Sequence, residues 1–239
     1  MLKSIILLTV FLSAVLFPQK GGDSFIDAAD KFFKTYCVNG SVNYSDVKKN
    51  QSEVDDIALL LKNSNLDKAE PLYRKAFYIN AYNFLVIKSI AESRQTDQAN
   101  KIKGFFDTRI HDVAGQKLTL KDIAEKKLRK MFFDSRVHFV LVNGAKSSPR
   151  AENFAYKPAG VEDQINSVTR RSLNDARFVL TDKKNKKVFL SEIFRTYKDE
   201  FVTAKSGYLD FINPYRIEKI PADYTIEFME FDWTLNGVK

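Results

Sequence analysis

One stretch of this 239-residue chain reads RVHFVLVNGAKSSP, at residues 136–149. Residues 137–142 are apolar on both faces of an extended chain apart from His138, which is the pattern of a fully buried strand. We therefore predict a buried strand over residues 137–142 that ends in a polar turn. A histidine within such a run is not hydrated like a surface residue, so it needs a hydrogen-bonding partner or a functional role.

The first residues have the features of a secretory leader. Lys3 supplies one early positive charge before a charge-free, apolar run over residues 4–19, which is shorter than the roughly 20 residues of a membrane-spanning helix. We predict a signal peptide or an N-terminal hydrophobic anchor over residues 1–22. The protein is then secreted or periplasmic or, as the alternative, membrane-anchored. Residues 23–239 contain no repeat or Pro/Gly/Ser-rich linker, so one domain is expected there.

The net charge of the chain indicates which class of partner it binds. Its formal net charge is +8, from 38 basic and 30 acidic residues. For an exported chain this predicts no nucleic-acid partner, but contact with an anionic envelope surface. The sole cysteine, Cys37, excludes an intramolecular disulfide and is expected to be a small core residue.

Helical spacing of apolar residues dominates the first part of the chain. It predicts helices over residues 24–36, 45–62 and 70–93. Asn80 and Asn83 fall near one another on the apolar stripe of the third helix. Two explanations stay open for this pair. The amides bind neighbouring backbone groups and orient a loop, or they orient a catalytic group or a substrate carbonyl.

The second part of the chain mixes strands with shorter helices. We predict hairpins over residues 109–118 and between residues 177–180 and 187–190, helices over residues 119–131 and 161–175, a short helix capped by Ser191, a helical or irregular segment over residues 207–212, and a terminal strand over residues 224–233. This order predicts a single α+β domain, with N-terminal helices packed on a mixed or antiparallel sheet built from hairpins.

Five motifs occur in the order of a known family. They lie at residues 36–44, 78–83, 134–139, 190–201 and 231–236. In this order they resemble domain-of-unknown-function family 547, with its Gly-x-Val-x-Tyr turn, its Asn-Ala-Tyr-Asn helix and its Arg-x-His-Phe strand. The resemblance spans most of residues 23–239. It implies a shared fold but no particular reaction.

The chain departs from that family at positions that could carry chemistry. The family's strand runs into a Cys-Gly-Ala segment with a second cysteine before a proline, and Asn143 and Ser148 stand at these positions here. A Glu-His pair of the family corresponds to Ala124 and Glu125. The resemblance therefore implies that any thiol or Glu-His chemistry of the family is missing from this member.

An enzyme is one of two functional hypotheses. His138 would be a general base, because an imidazole titrates near neutral pH. Asn80 or Asn83 would orient it or hold an oxyanion, and Ser147 or Ser148 would be the nucleophile. Such a hydrolase or acyl-transferase would resemble papain-like or transglutaminase-like sites at the level of fold alone.

A binding module is the other hypothesis, and the one we favour. A cleft lined or supported by Arg136, His138, Asn80, Asn83 and Trp233 would take an unknown small-molecule, peptide or glycan ligand. Asp232 would pair with Arg136 or His138 and hold the C-terminal strand. The sequence has no metal-ligand spacing, and we expect neither a metal nor another cofactor. The favoured function is a non-catalytic envelope or ligand-binding protein.

Overall fold

A computed structural model describes residues 21–93 and 97–238. Residues 1–20, which make up most of the predicted leader, lie outside the described residues. Among the residues that are described, no helix is both long and apolar enough to cross a bilayer. The signal peptide or anchor over residues 1–22 therefore stays a prediction.

The N-terminal part of the molecule is mostly helical. Its elements are α1 (Gly21–Tyr36), β1 (Cys37–Val38), β2 (Ser41–Val42), α2 (Tyr44–Lys49), α3 (Gln51–Asn63) and α4 (Pro71–Glu92). The predicted single helix over residues 45–62 is wrong, because the chain breaks at Asn50. The Asn50 side-chain amide donates to the Asp46 carbonyl at 2.9 Å, and such local bonds compete with helical ones.

Helix α4 is the centre of the main hydrophobic core. Pro71 opens it at the first helical position, where its missing N–H costs nothing. The α1 rings of Phe25 and Phe32 pack on Phe77 and Phe84 of α4, with ring centroids 5.1–6.2 Å apart. Aromatic pairs in tilted or edge geometry add to the gain from burial. The helix predicted over residues 70–93 is thus confirmed.

A hairpin and an irregular helix follow α4. Strands β3 (His111–Val113) and β4 (Gln116–Leu118) pair antiparallel, as predicted. Thr119 and Asp122 then cap each other's backbone N–H groups and start the helix. It consists of α5 (Leu120–Asp122), a wide π-helical stretch (Ile123–Arg129) and α6 (Lys130–Phe132). The helix ends at Phe133, whose backbone is left-handed with φ 49° and ψ 42°.

The strand predicted over residues 137–142 is wrong. A 3-10 helix occupies Ser135–Phe139, capped by the Asp134 carboxylate, which accepts from the Arg136 N–H at 3.0 Å. Beyond it, the Val140 carbonyl and the Val142 N–H bind the side chain of Asn83, both at 2.9 Å. Buried main-chain groups need hydrogen-bond partners, and here one buried amide takes the place of a neighbouring strand.

The C-terminal part contains the largest sheet of the described residues. Its elements are α7 (Val161–Leu173), β5 (Val179–Asp182), β6 (Lys187–Leu190), α8 (Glu192–Thr196), α9 (Lys198–Phe201), α10 (Tyr208–Ile212) and β7 (Thr225–Phe228). Strand β6 pairs antiparallel with β5 and parallel with β7, so that Leu190 lies opposite both Val179 and Phe228. The sheet is therefore mixed, which is one of the two predicted arrangements.

The predicted terminal strand over residues 224–233 is confirmed only in its first part. After β7 the chain leaves the sheet and pairs with the segment that follows the 3-10 helix. The Lys146 N–H binds the Thr234 carbonyl at 2.8 Å, and the Asn236 N–H binds the Gly144 carbonyl at 2.9 Å. This change of partner ends the strand at Phe228.

Two hydrophobic clusters fill the molecule. The first surrounds α4, and the second lies between the β5–β6–β7 sheet and helices α8 to α10. The 3-10 helix joins them, because Val137 belongs to the first cluster and Phe139 to the second. The fold class is α+β, as predicted, and His138 lies at the junction of the two clusters.

Candidate functional site

His138 projects from the 3-10 helix toward α9. Its Nε2 atom lies 2.8 Å from Oε2 of Glu200. The imidazole ring stacks on the ring of Tyr197, with centroids 3.9 Å apart and an interplanar angle of 22°, and Phe201 packs at 5.6 Å. Only 8% of His138 is exposed. A carboxylate and two aromatic rings therefore fix the position of this imidazole.

Helices α8 and α9 place these partners. The Ser191 hydroxyl caps α8 by accepting from the Ile193 N–H, as the sequence predicted. The chain turns at Tyr197, between the two helices, and the Glu200 N–H binds the Tyr197 carbonyl at 2.9 Å. This turn presents the aromatic ring and the carboxylate to the same imidazole.

Arg129, from the π-helical stretch, completes the cluster. Its Nη2 atom forms an ion pair with Oε1 of Glu200, so the two carboxylate oxygens bind different partners. Its guanidinium also lies 4.7 Å from the centroid of the Tyr197 ring. Cations over the face of a tyrosine ring are attracted to it. Arg129, Tyr197, Glu200 and His138 thus form one connected group, which we call the imidazole cluster.

The charges within the imidazole cluster follow from burial and pairing. Burial lowers the pKa of His138 below its usual 6.5, although the Glu200 carboxylate opposes this effect. Burial alone would raise the pKa of Glu200, but the hydrogen bonds and charges of His138 and Arg129 lower it. At neutral pH the imidazole is therefore neutral and the carboxylate is ionised. An ionised carboxylate only accepts hydrogen bonds, so the Nε2 atom of His138 carries the proton.

An open cleft of about 460 Å³ lies in front of the cluster. It is lined by Glu125, Arg129, Lys130, Phe133, Ser135, Asp199 and Glu200. The side chain of Phe133 is 89% exposed and its backbone is left-handed, a conformation that costs a bulky residue free energy. Strained and exposed residues of this kind concentrate at functional sites.

The His138–Glu200 pair resembles two members of a catalytic triad, but within the described residues no serine or cysteine is hydrogen-bonded to His138. Ser147 accepts a hydrogen bond from the Asp232 N–H at 2.9 Å, and the Ser148 hydroxyl donates to the Pro149 carbonyl at 3.0 Å. Ser135 lines the cleft, yet within residues 21–93 and 97–238 no hydrogen bond joins it to His138. Among the described residues, the hydrogen bond of His138 goes to the Glu200 carboxylate and not to a hydroxyl.

Both asparagines of α4 bind backbone groups. Asn80 donates to the Tyr156 carbonyl at 2.8 Å and accepts from the Tyr156 N–H at 2.9 Å. Asn83 makes the matching pair of bonds to Val140 and Val142. Each amide therefore anchors a loop to the core. Neither side chain is hydrogen-bonded to His138.

Arg136 belongs to a separate ion network beneath α4. It binds the Asp134 carboxylate through Nε at 2.9 Å and Nη2 at 2.8 Å and also contacts Glu162. Lys75, only 3% exposed, donates to the same two carboxylates at 2.7 and 2.6 Å. Burial would raise the pKa of Asp134, but Arg136 and Lys75 lower it to about 2. This network ties α4 and α7 to the 3-10 helix.

The predicted pairing of Asp232 with Arg136 or His138 is wrong. The Asp232 carboxylate accepts from the Thr234 N–H at 2.9 Å, while Arg136 and His138 bind the acids described above. Trp233 packs against Phe231 and Phe106, with ring centroids 4.6 and 6.2 Å away. The predicted polar group thus divides into separate sites. The prediction failed because Arg136 and His138 face carboxylates of other segments, namely Asp134, Glu162 and Glu200.

Sequence reasoning missed Arg129, Tyr197 and Glu200. Tyr197 and Glu200 both lie in the motif at residues 190–201, which was the available signal. In the sequence Glu200 looks like one more charged residue of a short amphipathic helix. Only the tertiary contact with His138 distinguishes it. Arg129 is one of several basic residues in its helix and carries no signal of its own.

Other titratable groups in the described part of the chain do not form a metal centre. No group of three or more His, Cys, Asp or Glu side chains there is placed to hold a metal ion. His111 lies in β3, where burial and the nearby Arg109 charge lower its pKa to about 4. Cys37 is buried, and burial raises the pKa of its thiol to about 12.

The fold and the site together define a class: an α+β domain with a histidine–carboxylate pair behind an open cleft. The model of the family described as "Protein of unknown function, DUF547" matches residues 66–173. The match covers 108 of the 239 residues and confirms the resemblance found in the sequence. The matched residues include Asn80, Asn83, Arg129 and His138, while Glu200 lies beyond them. No curated protein and no solved structure matches the chain.

Proposed function

We propose that the chain is an exported, non-catalytic ligand-binding protein of the cell envelope, and that the cleft in front of Glu200 is its binding site. One observation carries the proposal. Glu200 lines the cleft, whereas the imidazole it binds is buried and is not among the lining residues. A general base has to reach the proton that it abstracts. His138 is therefore better suited to hold the cleft wall than to react.

The lining residues support a ligand with both polar groups and an apolar face. Glu125 and Asp199 offer carboxylates, Lys130 offers an ammonium group, and Phe133 offers an exposed ring. Ligand sites commonly combine an aromatic surface with a few convergent polar groups. Peptides and glycans carry this mixture, so we propose a ligand of this kind. The net charge of +8 supports an additional attraction to anionic envelope polymers.

A thermal-shift screen of residues 23–239 against tripeptides and N-acetylglucosamine oligomers tests the proposal. Ligands that bind the native state raise the unfolding temperature by mass action. We expect a shift that is lost in Phe133→Gly, a substitution suited to the left-handed backbone at that position. Met131→Ala, at a partly exposed position two residues away, is the matched control and should keep the shift. A shift of equal size in all three proteins would exclude the cleft as the site.

One observation favours a hydrolase or acyl-transferase as the second candidate. Ser135 lines the same cleft and precedes His138 by one turn of the 3-10 helix. In that function a rearranged His138 would take the Ser135 hydroxyl proton as the oxygen attacked an acyl carbon, and would return the proton to the alkoxide or amine that left this carbon. Hydrolysis of p-nitrophenyl acetate that is abolished in both Ser135→Ala and His138→Gln would support it and would overturn the non-catalytic proposal.

A further inference from the structure

A second cleft of about 580 Å³ shares no lining residue with the cleft in front of Glu200 and draws its walls from four segments. These are the β1–β2 turn, the stretch after the 3-10 helix, the stretch after α7, and residues 235–238. Its charged lining residues are Lys146, Arg150 and Arg177, and none of its lining residues is acidic. We call it the basic cleft.

The two arginines of the basic cleft are held in place by one carboxylate. Asp175 accepts from Nη2 of Arg150 at 3.1 Å and from Nη2 of Arg177 at 2.9 Å. Burial would raise the pKa of Asp175, but these arginines lower it to about 2, so it is ionised. Arg177 also donates to the Lys146 carbonyl at 3.1 Å. Guanidinium groups fixed in this way need little further ordering to bind an anion.

The charges of the basic cleft do not cancel. A single carboxylate between two guanidinium groups leaves one positive charge, and Lys146 adds another. Within the described residues Lys146 makes no ion pair. The nearby Asp232 carboxylate accepts from the Thr234 N–H, and its charge offsets part of the Lys146 charge. Glu152 also interacts with Arg150, but Glu152 itself pairs with Arg171, so the balance around the cleft stays positive. A concave surface with surplus positive charge attracts anions and raises their local concentration.

The β1–β2 turn shapes the wall of the basic cleft. Gly40 has φ +86°, and a Cβ atom there would lie only 2.9 Å from Cγ of Arg150. The arginine stem therefore packs directly on the glycine backbone. A larger residue at position 40 would both strain the turn and displace the guanidinium.

A buried donor in the cleft wall lacks a partner. Asn236 is 8% exposed, and its Oδ1 atom accepts from the Tyr44 hydroxyl at 2.7 Å. Its Nδ2 atom is buried without a hydrogen bond among the described residues. Buried donors are rarely left unpaired, and this one lies beneath the surface of the cleft wall rather than on it.

We propose that the basic cleft binds a small ligand with two negative charges on oxyanion groups, phosphate or carboxylate. Lys146, Arg150 and Arg177 supply the charge and the hydrogen-bond donors. Arginine forks bind both kinds of oxyanion through paired hydrogen bonds. This site is separate from the cleft in front of Glu200, and neither proposal depends on the other.

Isothermal titration calorimetry of residues 23–239 with pyrophosphate and with citrate tests the proposal. We expect saturable binding of at least one probe at millimolar concentration or below. Lys146→Gln removes an exposed side chain without an ion pair and should weaken binding about tenfold, as expected for a lost charge-assisted hydrogen bond. Lys184→Gln removes the same charge from the exposed β5–β6 turn and is the matched control.

Each outcome decides the proposal. Binding of pyrophosphate alone assigns a phosphate ligand, and binding of citrate alone assigns a carboxylate ligand. Binding of both supports a general oxyanion site. Absence of saturation with either probe overturns the proposal. Equal affinities for the Lys146→Gln and Lys184→Gln variants overturn it as well, because net charge alone would then explain the binding. Phe133→Gly should leave the affinity unchanged, which separates this site from the other cleft.

Discussion

The imidazole of His138 and the carboxylate of Glu200 are joined by a 2.8 Å contact between Nε2 and Oε2, although 62 residues separate them in the chain. The contact fixes α9 against the 3-10 helix and forms the back wall of an open cleft. Because Arg129 binds the other oxygen of the carboxylate, the charge of Glu200 is matched by a cation while His138 stays neutral.

Replacing Glu200 tests the connection between these elements. Glu200→Gln keeps the side-chain shape but removes the negative charge that Arg129 faces in a partly buried site. Loss of a charge-assisted bond of this kind costs about 1–3 kcal/mol, so the free energy of unfolding in urea should fall by that amount. Asp199→Asn removes a neighbouring carboxylate for which the described structure has no hydrogen bond, and it serves as the control. Equal stability of both variants would contradict the arrangement.

The two histidines of the chain should make stability depend on pH. The folded pKa values of His138 and His111 lie below the ordinary 6.5, so the unfolded chain binds more protons below that pH. Stability therefore falls as pH drops through about 6.5, by at most roughly 1.4 kcal/mol per pH unit for each histidine. Urea unfolding between neutral pH and the onset of carboxylate titration measures this slope.

The matched variants for this prediction are His138→Gln and His111→Gln. Each single variant should lose the part of the pH dependence of stability that its own histidine causes. The double variant should show almost no pH dependence of stability between neutral pH and the onset of carboxylate titration. A slope that survives in the double variant would mean that other groups cause it. A stability that rises as the pH drops would mean that one imidazole is charged in the folded protein.

Phe133 should lower the free energy of unfolding of the protein. Its left-handed backbone disfavours a bulky side chain by about 1–2 kcal/mol, and its exposed ring gains little from burial. Phe133→Gly removes the strain but increases the entropy of the unfolded chain, so a net gain of a few tenths to about 1 kcal/mol is expected. Met131→Gly, at a helical position of α6, should instead destabilise the protein by about 1 kcal/mol. Unfolding in urea compares the two, and a loss of stability in Phe133→Gly would contradict the strain.

Asn83 should be essential to the segment that follows the 3-10 helix. Asn83→Ala leaves the Val140 carbonyl and the Val142 N–H buried without partners, and each such group costs about 1–3 kcal/mol. We expect Asn83→Ala to lower the free energy of unfolding by about 2–5 kcal/mol. Asn100→Ala, at an exposed position, is the control and should change it negligibly. Hydrogen exchange at the Val142 amide should also become faster. Unchanged protection there would show that the amide is held by something else.

Many of the helices and hairpins could be predicted from the sequence, because the residues that determine each of them are close together in the chain. Helix α4 has one continuous apolar face with a proline at its start, and the β5–β6 hairpin has two apolar runs around a charged turn. The helix after β4 begins with a residue pair whose side chains cap it reciprocally. In each case the residues that determine the element lie within it.

The candidate site could not be predicted because its signals are not local. Residues 137–142 are buried on every side, so their periodicity fits a strand as well as a 3-10 helix followed by an irregular segment. What decides between them is the side chain of Asn83, more than fifty residues earlier. In the same way, Glu200 is distinguished from the other acids of the chain only by the imidazole that it meets.

The central claim is that His138 is a neutral, anchored imidazole, and NMR of its ring nitrogens during a pH titration tests this most directly. The chain has two histidines, so His111→Gln assigns the signals. We predict a proton on Nε2 at neutral pH, a pKa below 6.5, and no change on adding p-nitrophenyl acetate. A protonated ring at neutral pH, or a ring that titrates above 6.5 and responds to the ester, would contradict the account.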